Sequence, residues 1–294
     1  MIDLSIVIVS YNTKDFLIKC IQSIEETGKD FTYEVIVVDN ASNDTSQELV
    51  KEKFKDVILI ANKENLGFSK ANNVGVKKAN GRYILFLNAD TVVYPLTLKT
   101  MIDFMDKNED AGASTCKLQM PNGKIDDASH RGFPTPWNSF CHFSGLSKIF
   151  TKVKLFGGYN LSYLDFSKTH EIDALAGAFM MVRKVAGKKV SWWDEDYFFY
   201  GEDLDFCYML KQKGWKIYYV PEVSILHYKG VTGGIKKHSQ DFSTADKNTK
   251  KKATYERFRA MRLFYKKHYE KKYPWIVTRL VYFGIWAKQS LPSL

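Results

Sequence analysis

The chain has 294 residues, of which 45% are hydrophobic and 26% are charged, which is enough apolar material for one large or two modest domains. Its net charge of +10 predicts an anionic partner, such as a nucleotide diphosphate or an anionic lipid surface. Four widely spaced cysteines form no CxxC pair, which indicates reduced thiols. We see no secretory signal and no apolar run of roughly 20 residues, and therefore expect a cytoplasmic protein without membrane spans.

Strands and helices are predicted to alternate in the first part of the chain. The predicted strands are residues 4–9, 34–38, 57–60 and 82–87. The predicted helices are residues 13–27, 44–54 and 69–79. This alternation is typical of βαβ units and predicts an α/β fold with a parallel sheet.

The chain changes character between residues 120 and 170, where prolines and glycines interrupt any period while aromatic residues persist. We predict an irregular insertion over one face of the sheet. After it we predict a strand-like segment at residues 171–184, a helix at residues 204–213, and a strand at residues 216–220 that Pro221 ends.

The apolar run that begins at Tyr83 indicates a strand buried on both faces, and it ends in Asn88-Ala89-Asp90. Open α/β proteins bind ligands at the carboxyl ends of their strands. The side-chain oxygens of Asn88 and Asp90 are suitable ligands for a hard cation, which a bound diphosphate would need. The alternative is a turn in which both side chains bond to the local backbone.

Polar residues also follow the first two predicted strands, at residues 10–12 (Ser-Tyr-Asn) and 39–42 (Asp-Asn-Ala-Ser). In a parallel sheet both segments lie at the same edge. There Asp39 can accept the imide N–H of uracil or thymine, and Tyr11 can pack against the base. The alternative is that Asp39 and Ser42 only build a turn and cap the next helix.

A further loop at residues 65–68 (Asn-Leu-Gly-Phe) precedes a helix, where backbone amides can face a phosphate. The sequence has no Walker loop and no GxGxxG after the first strand, so a dinucleotide site is not supported.

A second acidic cluster combines carboxylates with aromatic residues, at residues 192–196 and 198–206. Aromatic neighbours partly desolvate a carboxylate, which raises its pKa and suits it to general-base work, and they also stack on sugar rings. Helix capping is the alternative for Glu202 and Asp203. His227 follows the last predicted strand and is either a third metal ligand or a buried, hydrogen-bonded histidine.

Five motifs, in this order, resemble those of family 2 glycosyltransferases, with most similarity to bacterial rhamnosyltransferase-type members. They are SIVIVSYN from residue 5, VIVVDNASND from residue 35, NLGFSKANN from residue 65, LFLNAD from residue 85 and GEDLDFC from residue 201. The resemblance spans roughly residues 3–230. It implies an inverting enzyme of the GT-A fold, whose Rossmann-like, mostly parallel sheet is flanked by helices.

The resemblance also implies a domain organisation. Residues 1–245 would form the catalytic domain, with a nucleotide-binding half at about 1–118 and an acceptor-binding half at about 119–245. Residues 246–294 would form a basic, aromatic helical extension.

By this resemblance, Asp39 binds the nucleobase, Asp90 binds Mg²⁺ or Mn²⁺, and Asp203 is the base that deprotonates the acceptor hydroxyl. Asn88 replaces the first aspartate of the family's DXD motif, which lowers the charge at the metal. The candidate nucleotide-binding residues are Ser10, Tyr11, Asn12, Asp39, Asn40, Ser42, Asn65, Gly67, Phe68, Asn72, Asn88 and Ala89. The candidate metal ligands are Asp90, Asn88 and His227, the candidate catalytic residues are Asp203 and Glu202, and the candidate sugar or acceptor contacts are Gly177, Trp193, Asp194 and Tyr200.

We therefore expect transfer of a sugar from dTDP-rhamnose or a UDP-hexose to a glycan or a lipid-diphosphate-linked acceptor, in cell-surface polysaccharide synthesis. A nucleotidyltransferase would need a glycine-rich, basic signature that residues 10–13 lack. A processive membrane synthase would need spans, and nucleic-acid binding has no support beyond charge. A noncatalytic nucleotide-sugar or glycan-binding protein is the alternative from another class.

The C-terminal segment at residues 255–286 interleaves aromatic residues with lysines and arginines. Phe258, Met261, Tyr265 and Tyr269 recur at helical spacing, which predicts a helix lying on the anionic inner face of the plasma membrane. The alternatives are packing against the catalytic domain and a homodimer contact.

Overall fold

The computed structural model describes residues 2–235 and 239–290. The strands are β1 (Leu4–Ser10), β2 (Tyr33–Asp39), β3 (Ile58–Ala61), β4 (Tyr83–Asn88), β5 (Thr91–Val93), β6 (Ala111–Gln119), β7 (His170–Ile172), β8 (Phe179–Arg183) and β9 (Lys216–His227). The helices are α1 (Lys14–Thr27), α2 (Ser46–Lys53), α3 (Phe68–Val76), α4 (Thr97–Lys107), α5 (Pro136–Phe143), α6 (Leu146–Ile149), α7 (Lys154–Gly157), α8 (Lys184–Lys189), α9 (Glu202–Gln212), α10 (Lys247–His268) and α11 (Trp275–Ser290).

The nine strands form one sheet in the order β3-β2-β1-β4-β8-β6-β9-β5, with β7 also paired to β9. Strands β1 to β4 are parallel, as predicted, and their register places Ser10 beside Asp39 and Val9 beside Asn88. The carboxyl ends of β1, β2 and β4 therefore meet at one edge. Strand β8 is antiparallel to both β4 and β6. The predicted α/β fold is confirmed.

Both faces of this sheet are buried because helices cover them. On β1, alternate residues point to opposite faces, so that Ile6 and Ile8 belong to one apolar cluster and Val7 to the other. The first cluster includes Leu17 of α1, and the second includes Phe206 of α9.

Strand β9 continues to His227, so the prediction that Pro221 ends it is wrong. The register between β6 and β9 shifts there, from Cys116 opposite Val220 to Lys117 opposite Ser224. Proline is tolerated in a sheet at such an irregularity, because the missing N–H leaves no ladder bond broken. The extension matters because it carries His227 to the edge where β4 ends.

The insertion predicted between residues 120 and 170 contains α5, α6 and α7 joined by turns. Pro136 begins α5, and the Thr135 side chain caps it by accepting a hydrogen bond from the Asn138 backbone N–H. Residues 171–184, predicted as one strand-like segment, divide into β7 and β8.

The C-terminal segment packs on α9 through α10. Phe258, Tyr265 and Tyr269 of the predicted membrane-facing stripe are buried, so that prediction is wrong for these residues and the packing alternative holds. Tyr208 of α9 meets the Phe264 and Tyr269 rings edge to face, with both centroid distances 5.9 Å.

Helix α11 has no buried residue and lies against α10. The Tyr265 hydroxyl is 3.1 Å from Thr278 Oγ1, and Arg262 donates to Gln289 at 2.9 Å. Within residues 2–235 and 239–290, no helix combines the length and the hydrophobicity needed to span a bilayer.

The Asp205 carboxylate joins α9 to α10. It lies 2.6 Å from His268 Nε2 and 2.9 Å from Lys267 Nζ, and Lys267 also reaches Asp194 at 2.6 Å. Asp205 is buried, so its negative charge depends on these partners.

We predict that Asp205→Ala lowers the free energy of unfolding by about 3–5 kcal/mol, because it leaves the buried His268 ring without its carboxylate partner and removes one of the two carboxylates that hold Lys267. Urea unfolding followed by circular dichroism measures the change. Asp165→Ala is the control, since Asp165 pairs with Lys168 on the exposed surface. Equal stability of the two variants would show that the Asp205 contacts do not hold α10.

Candidate active site

A cavity of about 1610 Å³ opens at the carboxyl ends of the parallel strands. It exceeds the roughly 300–1,000 Å³ of ordinary small-molecule pockets, which leaves room for two substrates. It brings together most of the residues that sequence analysis singled out. The predicted residues that line it are Tyr11, Asn40, Asn65, Gly67, Phe68, Asn88, Ala89, Asp90, Gly177, Tyr200, Glu202, Asp203 and His227.

Asp39 is buried at the end of β2, beside Asn40, which lines the cavity. Its Oδ1 accepts hydrogen bonds from the Ser42 backbone N–H at 2.9 Å and from Gln47 Nε2 at 2.7 Å. Its Oδ2 is buried and has no hydrogen-bond partner among the described residues. A buried acceptor of this kind needs a donor, and a pyrimidine imide N–H has the right chemistry.

Five predicted nucleotide-binding residues do not themselves line the cavity: Ser10, Asn12, Asp39, Ser42 and Asn72. Their side chains hold the loops in place instead. Ser10 Oγ is 3.0 Å from Thr13 Oγ1, Ser42 Oγ accepts from the Asn12 N–H, and Asn72 Nδ2 donates to the Phe68 carbonyl.

The loop before α3 is fixed by its own hydrogen bonds. The Gly67 N–H donates to Asn65 Oδ1 at 2.9 Å, and the Phe68 N–H donates to the Phe198 carbonyl at 2.7 Å. The interpretation that these amides face a phosphate is therefore wrong for both. Gly67 has a φ of +82°, and a Cβ there would lie 2.6 Å from the Phe198 carbonyl oxygen, so the position requires glycine.

Asp90 and His227 face each other because β5 pairs with β9 and sets Thr91 opposite His227. His227 Nε2 is 3.5 Å from Asp90 Oδ1, and His227 Nδ1 is 3.1 Å from Asp126 Oδ2. Burial alone would lower the pKa of His227, but the Asp90 and Asp126 carboxylates outweigh it and raise that pKa to about 9. Asp126, which was not predicted from the sequence, orients the imidazole.

The described residues contain no cluster of three or more histidine, cysteine or acidic side chains arranged to hold a metal ion. They do place the Asp90 carboxylate beside the buried Nε2 of His227, which makes no hydrogen bond. Mg²⁺ usually takes one or two carboxylates and completes its shell with phosphate oxygens and water. The donor set therefore fits a cation shared with a diphosphate, with Asn88 on the same wall.

Glu202 and Asp203 begin α9 and line the same cavity. Asp203 Oδ2 accepts a hydrogen bond from Arg131 Nη2 at 2.6 Å, and Arg131 also donates to the Leu175 carbonyl. Burial and the neighbouring Asp203 raise the pKa of Glu202, which favours its neutral form. The two carboxyl groups are thus distinct, with Asp203 ion-paired and Glu202 buried.

Arg131 was not predicted as a site residue because it lies in the insertion, where no periodic pattern indicates which way a side chain points. The backbone of Arg131 bridges to Ala174, which brings its guanidinium to the start of α9. Burial acts against its charge, but the Asp203 carboxylate outweighs this and raises the pKa of Arg131. The helix-capping alternative holds in part, since Asp203 Oδ1 also accepts from the Leu204 N–H.

Two predicted acceptor contacts require correction. Trp193 is buried and stacks on Phe206 with a centroid distance of 4.9 Å, and Asp194 pairs with Lys267. Neither residue lines the cavity, because the run of aromatic residues that contains them packs into the core. Gly177 and Tyr200 do line it.

The model of the family "Glycosyl transferase family 2" matches residues 5–184 of this chain. The chain belongs to glycosyltransferase family 2. This membership confirms the family predicted from the five motifs and favours sugar transfer over nucleotidyl transfer.

Curated relatives support the rhamnosyltransferase-like branch. The chain is 28% identical over 231 residues to rhamnosyltransferase WbbL of Escherichia coli K12, which covers 76% of this chain and 82% of that protein. It is 25% identical over 211 residues to the N-acetylglucosaminyl-diphospho-decaprenol L-rhamnosyltransferase of Mycobacterium tuberculosis, which covers 68% of each.

Solved structures confirm the GT-A fold. GalNAc-T7 with UDP, GalNAc and Mn²⁺ matches with a TM-score of 0.59 and 16% identity, over 77% of this chain and 44% of that one. Staphylococcus aureus TarS 1–349 in complex with UDP-GlcNAc matches with a TM-score of 0.54 and 19% identity, over 89% of this chain and 65% of that one. The chain thus spans less than half the length of GalNAc-T7.

Proposed function

We propose that this protein transfers a sugar from dTDP-rhamnose or a UDP-hexose to a hydroxyl group of a glycan or a lipid-diphosphate-linked acceptor, for cell-surface polysaccharide. One observation carries the proposal: the pair Asp90 and His227 and the pair Asp203 and Arg131 line one and the same cavity. The names of the relatives, which specify rhamnose transfer and a diphospho-lipid acceptor, support the choice of substrates.

The donor binds along the strand ends. Asp39 Oδ2 accepts the imide N–H of the base, which uracil and thymine share, and Tyr11 packs against the ring. The diphosphate extends toward Asn88, Ala89 and Asp90. When held by Asp90 and His227, a Mg²⁺ or Mn²⁺ ion supplies positive charge that stabilises the leaving diphosphate.

Asp203 acts on the acceptor. Its carboxylate accepts the proton of the acceptor hydroxyl, whose oxygen attacks the anomeric carbon while the bond to the diphosphate oxygen breaks. Attack from the face opposite the leaving group inverts the configuration in one displacement. Arg131 holds the Asp203 carboxylate in position, and Tyr200 and Gly177 line the space for the acceptor.

We predict that Asp203→Asn lowers the rate of sugar transfer by roughly 10²–10⁴-fold, because the amide keeps the shape but accepts no proton. Donor binding, measured by calorimetry with the nucleotide diphosphate, should persist. Near-normal transfer by Asp203→Asn together with an inactive Glu202→Gln would assign the base to Glu202 instead.

We predict that Asp90→Ala weakens Mn²⁺ binding in the presence of the nucleotide diphosphate by at least about tenfold. Binding to the unsubstituted protein should strengthen as the pH rises toward 9, because His227 must lose its proton before Nε2 can hold a cation. Calorimetry at pH 6, 7 and 8 measures both effects. Unchanged affinity in Asp90→Ala would contradict the metal site.

We also propose that the protein contacts an anionic membrane, and we narrow the contact from residues 255–286 to α11. Trp275, Leu280 and Phe283 of α11 are 73%, 66% and 62% exposed, and Arg279 and Lys288 lie on the same helix. An apolar face beside cations is typical of helices that lie in the lipid interface.

We predict that the double variant Leu280→Asp, Phe283→Asp loses binding to anionic liposomes at low salt, which sedimentation measures. Val185→Asp is the control, since Val185 is an exposed apolar residue of α8. Unimpaired sedimentation of the double variant would reject the membrane contact. A change from dimer to monomer in light scattering would assign α11 to a homodimer instead.

A further inference from the structure

The lining of the cavity that contains Asp203 also includes many apolar side chains of α5, α11 and Pro134, and we call this part of the cavity the apolar channel. The channel is lined by Pro134, Trp137, Phe140, Phe143, Val277, Leu280, Val281, Gly284 and Ile285. A sugar would need hydrogen-bonding partners, and these nine side chains supply almost none, although Ser139, His142, Ser144 and Lys288 also line the cavity from the same segments. The channel is therefore built for a different part of a substrate.

The channel opens on a surface that exposes large apolar side chains from two separate segments. Trp137, Phe140 and Phe143 of α5 are each about half exposed, and Leu280 of α11 is more exposed still. The two segments meet where Lys288 Nζ lies 4.9 Å from the centre of the Phe143 ring. Contiguous exposed apolar surface of this kind marks an interaction site.

Gly284 leaves a gap in the α11 wall. Glycine in the middle of a helix is unfavourable, so it usually reflects close packing. Here a Cβ would meet no protein atom within 4 Å. Gly284 is exposed and also lines the channel, so a large side chain at this position would extend into open space where the channel meets the surface.

Arg257 stands in the cavity between the catalytic end and the apolar channel. Among the residues that the structure describes, it makes no hydrogen bond and no salt bridge. Burial raises the pKa of Tyr200, near the base, and the charge of Arg257 opposes that rise. Burial, Lys148 and Lys288 lower the pKa of His142 on α5, and Arg257 adds to this effect. The charge of Arg257 thus affects the pKa of Tyr200 near the proposed base and the pKa of His142 on α5.

We infer that the hydrocarbon chain of a lipid-linked acceptor lies in the apolar channel between α5 and α11, with its phosphate at Arg257 and its sugar hydroxyl at Asp203. This inference rests on the proposed function and assigns the acceptor end of the same cavity. The α11 helix of a second copy of the chain would also cover the apolar walls, but it contains no Asp or Glu to pair with Arg257.

The test compares Gly284→Phe, which fills the gap, with Gly284→Ala, which leaves it open. Both replacements favour the helix over glycine, so unfolding does not explain a difference between them. The acceptors are an N-acetylglucosaminyl diphosphate that carries a farnesyl chain and the same compound with a methyl group. The measured quantity is kcat/KM for the farnesyl acceptor divided by kcat/KM for the methyl acceptor. We expect Gly284→Phe to lower this ratio by roughly tenfold or more, because KM for the farnesyl acceptor rises, and we expect Gly284→Ala to leave the ratio unchanged.

A second pair of variants tests whether the phosphate of the acceptor lies at Arg257. Arg257→Gln should raise KM for the farnesyl diphosphate acceptor by roughly tenfold and have less effect on the matching farnesyl glycoside, which has no phosphate. The control is Lys251→Gln, because Lys251 is an exposed residue of α10 that does not line the cavity. It should change KM for neither of the two farnesyl acceptors.

Equal chain preference in Gly284→Phe, Gly284→Ala and the unsubstituted protein would overturn the inference, as would dimerisation that Gly284→Phe abolishes. Transfer to the methyl acceptor with no gain from the farnesyl chain would leave the proposed function intact and reject the channel. Failure to bind or use any nucleotide-sugar donor would instead reject the proposed function, and the inference with it.

Discussion

The antiparallel pairing of β5 with β9 joins the two halves of the protein at the candidate active site. It sets Asp90, from the end of the parallel sheet, against His227, from a strand in the second half. Asp126 and Lys229 hold the arrangement from the other side. Although burial opposes its charge, His227 and Lys229 keep the pKa of Asp126 well below its usual range. The position of His227 is therefore set by the fold before any ligand binds.

Helix α9 is held from two sides for a similar reason. Arg131 from the insertion contacts Asp203, and His268 with Lys267 from α10 contacts Asp205, two residues further along. The insertion and the C-terminal extension thus position the helix that begins with the proposed base. The same two segments, through α5 and α11, also form the apolar walls of the cavity. In the proposed function, the same two segments would therefore both position the base and line the path of the acceptor.

Strand ends were predictable because apolar runs end abruptly in polar residues, as at Asp39 and Asp90, and parallel strands bring such ends together. The site roles of Arg131 and Asp126 could not be predicted, because their contacts join distant segments of the chain without a regular sequence pattern. The apolar stripe of α10 was misassigned because periodicity shows that one face is apolar, not what that face meets. The prediction that Trp193 contacts the sugar or the acceptor was wrong for a similar reason, since aromatic residues beside carboxylates fit a sugar site and a core equally well.

The central claim is that Asp203 activates an acceptor hydroxyl for a single displacement at a donor held by the strand ends. The anomeric configuration of the product, followed by proton NMR from the first turnovers, tests it most directly. The account predicts inversion relative to the donor sugar, because one displacement leaves no covalent sugar–enzyme intermediate. Retention of configuration would require an additional displacement and would contradict the role assigned to Asp203.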